Sequence, residues 1–175
     1  MSQEENFALQ TVRQGTRGLN KQLEVPLPWR TSADPWTDNR DHVLQRLLRL
    51  KESFVRDHDL WERYADLMKR NEALGYVEKV PANTDGRKGI WYLPHHPVIN
   101  SKKPEKLRVV FGCAAKFQGK SVNDRLLQGP DWITPLIEVL CRFRVGRVAL
   151  FADIREMFYQ VKTPAEERDA FLFLW

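Results

Sequence analysis

Apolar residues recur at three- and four-residue steps twice in succession along this chain. Val43, Leu44, Leu47, Leu48, Leu50 and Phe54 form the first stripe, which predicts a helix over residues 39–56. Leu60, Trp61, Tyr64, Leu67, Met68 and Leu74 form the second. That helix begins after Asp57 or Asp59, where Asp59 and Glu62 have the spacing of a capping box. Gly75 can supply its left-handed C-cap. Stripes of this kind form core more often than binding surface. Beyond Gly75 the period changes. Residues 76–80, 90–93 and 106–111 predict strands, the last two able to pair as a hairpin. Residues 81–89, with Asp85 and Gly86, predict a turn-rich loop.

Further along, Ile133, Leu136, Ile137, Leu140 and Phe143 predict a helix over residues 132–144. Arg142 and Arg144 in its last turn suit the helix dipole, and Gly146 ends it. The apolar run Val148-Ala149-Leu150-Phe151-Ala152 reads as a buried strand with Asp153 at its end. Residues 170–175 predict a final strand. The first forty residues are polar, with Pro26, Pro28 and Pro35 and the tryptophans Trp29 and Trp36. They predict little regular structure before Asp38, apart from a short strand near residues 23–25. Helices and strands in this mixture give an α+β class.

The 175 residues allow one domain or a piece of one, and 42% hydrophobic with 29% charged residues is enough for a core. No apolar stretch reaches the roughly 18 residues of a membrane span, so no membrane partner is expected. Residues Met1 to Glu5 lack the basic and apolar blocks of a secretory signal. Cys113 and Cys141 are too few for a disulfide framework and suit reduced thiols of an intracellular protein. The net charge of +5 is concentrated. Residues 101–130 carry Lys102, Lys103, Lys106, Arg108, Lys116, Lys120 and Arg125 against Glu105 and Asp124, and the rest of the chain balances. A focused basic patch suits a nucleic-acid backbone or a triphosphate.

Five segments stand in a fixed order over roughly seventy residues. They are Leu93-Pro94-His95-His96-Pro97-Val98, Leu107-Arg108-Val109-Val110-Phe111-Gly112, Ser121-Val122-Asn123-Asp124-Arg125-Leu126-Leu127-Gln128-Gly129-Pro130, Cys141-Arg142-Phe143-Arg144, and Ala152-Asp153-Ile154-Arg155-Glu156-Met157-Phe158-Tyr159-Gln160-Val161. Their order resembles the reverse transcriptase of the Bel/Pao class of LTR retrotransposons, densely from Tyr64 to Trp175 and more thinly before. Such an ordered set is more specific than any one motif.

The resemblance implies a partial right-hand polymerase. Residues 1–38 would be a largely irregular connector, 39–75 a helical pair, and 76–175 the fingers and first part of the palm, truncated. It implies RNA-directed DNA synthesis on an RNA or DNA template-primer from deoxynucleoside triphosphates. The remainder of a polyprotein would be a partner, and the location cytoplasm, virus-like particle or nucleus. Nucleotidyl transfer uses two Mg²⁺ ions about 4 Å apart, bridged by carboxylates from separate strands. By resemblance Asp153 is the first such carboxylate, and the Ile154 carbonyl faces the same ion. Arg108 matches the arginine that clamps the triphosphate, a task its planar fork suits, with Lys102 or Lys103 assisting. Phe158 matches the aromatic that rejects a 2′-hydroxyl. Asn123, Gln128 and Gly129 lie where the family contacts its template.

Other residues are read plainly. His95 and His96 are neighbours on a strand and point to opposite faces, which argues against a shared ion. Cys113 lacks the supporting pattern of a nucleophile. Glu156 fits a solvent-facing salt bridge better than a third carboxylate.

Two departures from the family pattern matter. Gly112 stands where the family has Asp, which braces the fingers loop. The Tyr-x-Asp-Asp hairpin with the remaining catalytic carboxylates is absent, and no Asp-Asp pair occurs in the sequence. Asp153 alone cannot assemble a two-ion site, so an inactive fragment with exposed sheet edges is expected. Two alternatives follow: a non-catalytic nucleic-acid binder using residues 101–130, or a protein-interaction module built on the helices of residues 39–74.

Overall fold

A computed structural model describes residues 1–20, 22–30, 36–80 and 89–175. The fold is α+β. It divides into two compact units that are discontinuous in sequence: Met1–Trp29 with Leu127–Thr163, and Arg30–Leu126 with Pro164–Trp175. β-pairing joins the two distant stretches of the smaller unit.

In that smaller unit, helix α1 spans Gln3–Gly15, where the polar composition predicted irregular chain. Its start is fixed locally. The Glu5 amide donates to Ser2 Oγ at 3.1 Å, and the Ser2 amide donates to the Glu5 carboxylate at 2.6 Å. Its end is packed: a Cβ on Gly15 would collide with the Pro26 ring. Strands β1 (Arg17–Leu19) and β2 (Gln22–Glu24) pair antiparallel, with Asn20 at a positive φ in the turn. Helix α5, Leu136–Phe143, is shorter than the predicted 132–144 and buries none of its residues. Strand β5, Val161–Lys162, runs parallel to β2, with Leu23 opposite Val161.

The larger unit holds the core. Helices α2 (Arg40–Arg56) and α3 (His58–Ala73) follow the two apolar stripes. The cap of α3 is Asp57, whose Oδ1 accepts from the Leu60 amide at 3.0 Å, while Asp59 pairs with Arg63 at 3.4 Å. Gly75 closes the helix at φ +72°. Phe54, Tyr64, Met68 and Val109 are buried together, with Leu50, Leu60, Trp61, Leu67, Leu107, Phe111 and Phe173 packed around them.

The hairpin of this unit pairs strands β3 (His95–Asn100) and β4 (Lys103–Phe111). Residues 90–93, the predicted partner, run instead beside the C-terminal segment. The Leu93 amide donates to the Leu172 carbonyl at 2.6 Å, and the Leu172 amide to the Trp91 carbonyl at 3.1 Å. Pro97 in β3 costs little, because a two-stranded hairpin leaves half of its donors facing out. Residues 170–175 are not a strand: a 3₁₀-helix, Ala165–Phe171, leads into a single bridge at Leu172. Residues 76–80 are irregular. The loop predicted over 81–89 lies outside the described residues except for Gly89. A short helix α4, Val122–Arg125, completes the unit.

Candidate functional site

Alternation along β4 separates its chemistry. Val109 is buried, with Leu107 and Phe111 half-buried beside the core, while Arg108 and Val110 are exposed. Opposite residues of an antiparallel pair share a face. Val98 lies across from Arg108 and His96 across from Val110, so one open face carries a guanidinium, an imidazole and two valines. Such a face offers a cation for phosphate and apolar surface for a base or sugar.

The register shifts after Ile99, so that Asn100 faces Lys103 across the turn. Lys102, Lys103 and Lys106 are exposed around this irregular tip. Asn100 Oδ1 accepts from the Lys102 amide at 2.9 Å. Arg63 of α3 donates to the Pro104 carbonyl at 2.6 Å and ties the shifted stretch to the helix. Neither the tether nor the shift was visible in residue periodicity.

Asn123 is exposed on α4 in the same unit, and its amide donates to the Cys113 carbonyl at 3.2 Å. Ser121 is buried and caps that helix by accepting from the Asp124 amide at 3.3 Å; its hydroxyl donates to the Asp124 carboxylate at 2.8 Å. The Ser121 hydroxyl, with Lys116 nearby, holds the Asp124 carboxyl below its usual range against some desolvation. Arg125 is buried with its guanidinium over the Trp36 ring, 3.7 Å from the centroid. One of the seven basic residues in the window is therefore structural. Burial pushes the Cys113 thiol up, which suits an unreactive cysteine.

Gly112 lies where an added Cβ would stand 3.3 Å from Pro94 Cγ and 3.4 Å from the Pro94 carbonyl oxygen. Its amide donates to that carbonyl at 2.8 Å. A larger residue here would require Pro94 to give by a few tenths of an ångström.

The remaining expected site residues belong to the smaller unit. Residues 148–154 form no strand, and no second strand among the described residues pairs with them; Asp153 is exposed and Ile154 largely so. Phe158 is exposed on a 3₁₀-turn, Met157–Gln160, that opens with Glu156 at φ +53°. Glu156 itself is half-buried, not fully solvent-facing. Gln128 and Gly129 are exposed in irregular chain. Arg108, Lys103 and Asn123 thus share one unit, and Asp153, Ile154, Phe158, Gln128 and Gly129 share the other.

No group of three or more His, Cys, Asp or Glu gathers among the described residues. A carboxylate and one backbone carbonyl do not by themselves furnish the oxygen set a Mg²⁺ ion takes. His95 and His96 do point to opposite faces, the first buried and the second exposed. No helix of the described residues is long and apolar enough to cross a membrane. No family model, curated protein or solved structure matches the chain.

Proposed function

We propose that the chain carries the nucleotide-facing hairpin and the first palm segment of a Bel/Pao-type reverse transcriptase, and that it binds nucleotide and template without completing DNA synthesis by itself. Arg108 carries this reading. It belongs to one of the five ordered segments, and it projects from a strand whose neighbouring side chains anchor that strand in the core. In this reading the Arg108 fork binds phosphate oxygens, Lys103 adds charge at the hairpin tip, and Asn123 contacts template. By the same resemblance Asp153 and Ile154 match the family's first Mg²⁺-holding carboxylate and its neighbouring carbonyl, and Phe158 matches its sugar-facing aromatic.

A binding comparison on the whole chain tests it. A deoxynucleoside triphosphate should bind more tightly than inorganic tripolyphosphate, and Arg108→Gln should weaken both. Equal affinity for the two would remove the nucleotide pocket and leave only a cation patch. A second reading, a non-catalytic nucleic-acid binder, draws on the basic window of residues 101–130. It expects affinity for a primer–template that falls steeply with salt and ignores Asp153→Asn.

A further inference from the structure

One histidine stands between the core of the larger unit and its C-terminal segment. His95 heads β3 and is 8% exposed. Its Nδ1 lies 2.6 Å from the Tyr64 hydroxyl of α3, and Tyr64 is fully buried. Its Nε2 lies 2.7 Å from the Leu174 carbonyl oxygen. A carbonyl can only accept, so Nε2 carries the hydrogen. Nδ1 accepts from the Tyr64 hydroxyl while it bears no proton; with a proton there, the hydroxyl must turn to accept and the ring charge must be buried. The neutral ring in one tautomer satisfies both partners at once.

Aromatic packing depends on the same junction. Trp175 lies 5.9 Å from the His95 ring, 5.6 Å from Tyr64 and 5.7 Å from Trp61, each between centroids. Phe173 meets His95 edge-on and packs on Phe111. The groups facing the imidazole are thus the Tyr64 phenol from α3, Phe111 from β4, and Phe173, Trp175 and the Leu174 carbonyl from the C-terminal segment, with His96 beside it on its own strand. Of these, the Leu174 carbonyl favours an imidazolium, whereas His96 opposes it.

We propose that His95 is a proton-sensitive latch: the neutral ring pins residues 171–175 onto α3 and β3, and protonation releases them. Burial holds its pKa below the ordinary 6.5, with His96 acting in the same direction and the Leu174 hydrogen bond against. A released histidine therefore takes up a proton before the docked one does. Docking is fully favoured above pH 6.5 and weakens as the pH falls from there toward the docked-state pKa. Across that window the opening equilibrium rises by up to about tenfold per pH unit.

Amide hydrogen exchange on the whole chain, corrected for intrinsic rate and followed from pH 7.5 to 5, tests the latch. The amides of Trp91, Leu93 and Leu172, bonded to the Asp169, Leu172 and Trp91 carbonyls, report docking. Their protection should fall by up to about tenfold per pH unit below 6.5 while α2 stays protected. His95→Gln keeps a donor and an acceptor without titrating, and should flatten that dependence. An unchanged fall in the glutamine variant, or flat protection in the wild type, would overturn the proposal. Should the variant not fold, ring ¹⁵N shifts of wild-type His95 decide. Protonation while the three amides remain protected refutes the latch, and a ring that stays Nε2-protonated and neutral until they open supports it.

Discussion

In the larger unit Tyr64 and Trp91 are almost fully buried and Phe54 is 5% exposed; in the smaller unit Ile133, Leu150, Phe151 and Phe158 are at least 85% exposed. The two regions are built from similar residue types. What separates them is the supply of partners. Helices α2 and α3 and the β3–β4 hairpin each present an apolar face to another element. Helix α5 has a strong apolar stripe, and residues 148–152 an unbroken apolar run, yet the helix buries none of its residues and the run is exposed throughout. Apolar sequence states a demand for burial, and only a second surface meets it.

The sharpest way to break this contrast is by truncation in both regions. Phe54→Ala should cost about 3–5 kcal/mol in a denaturant titration, as expected for an aromatic removed from a packed core. Phe151→Ala and Ile133→Ala should each change stability by less than about 0.5 kcal/mol. Comparable losses at Phe54 and Phe151 would mean that the smaller unit buries its run in solution.

A smaller loss is expected from a polar group in the same core. Asn39 is buried; its amide donates to the Tyr92 carbonyl at 2.8 Å and its side-chain oxygen accepts from the Tyr92 amide at 2.9 Å. Asn39→Ala should cost about 1–3 kcal/mol, because both Tyr92 groups lose their partner. A cost near zero in urea unfolding would show that water replaces the side chain. Gly112→Asp should come next, at about 1 kcal/mol, since Pro94 must yield a few tenths of an ångström.

Arg108→Gln should leave the unfolding midpoint unchanged and reduce the salt dependence of polyanion binding by about one phosphate contact. The gentlest effect belongs to Asp124. Its carboxyl is held below the usual range in the folded chain. Its contribution is therefore present above the ordinary aspartate pKa and is lost as the pH falls through the lowered one. Asp124→Asn should remove that acid-side slope and lower stability at neutral pH by the same small amount.

How much of this was legible varies element by element, for physical reasons. The α2–α3 pair could be read because helical spacing and burial coincide there. Helix α1 was hidden by polar composition and the nearby prolines, although Ser2 and Glu5 stand at capping-box spacing and could have signalled it. The strand predicted over 148–152 failed in the opposite sense: periodicity measures local preference and carries nothing about whether a neighbouring strand exists. Arg108 and Lys103 could be picked out by charge and motif, but not their exposure on one hairpin with a shifted tip. Tyr64 was read as core, which it is. Its hydroxyl still needed a partner when buried, but residue spacing does not say which, and the His95 ring, considered above only as a metal ligand, fills that place.

The pairing of β2 with β5 has a consequence for assembly. Gln22 and Tyr159, joined by a side-chain hydrogen bond at 2.9 Å, are 137 residues apart, and almost the whole larger unit lies between them. Closing so long a loop in an unfolded chain is entropically slow. The Arg30 amide, however, donates to the Arg125 carbonyl, and the Leu127 amide to the Pro28 carbonyl, both at 2.8 Å. Once the larger unit has formed, its Arg30–Arg125 bond holds the two passages of chain side by side and shortens the effective loop to the residues that flank it; the Pro28–Leu127 bond can then close next to it. The three-stranded sheet should therefore form last on the folding pathway, in a phase whose rate follows the helices and hairpin that precede it.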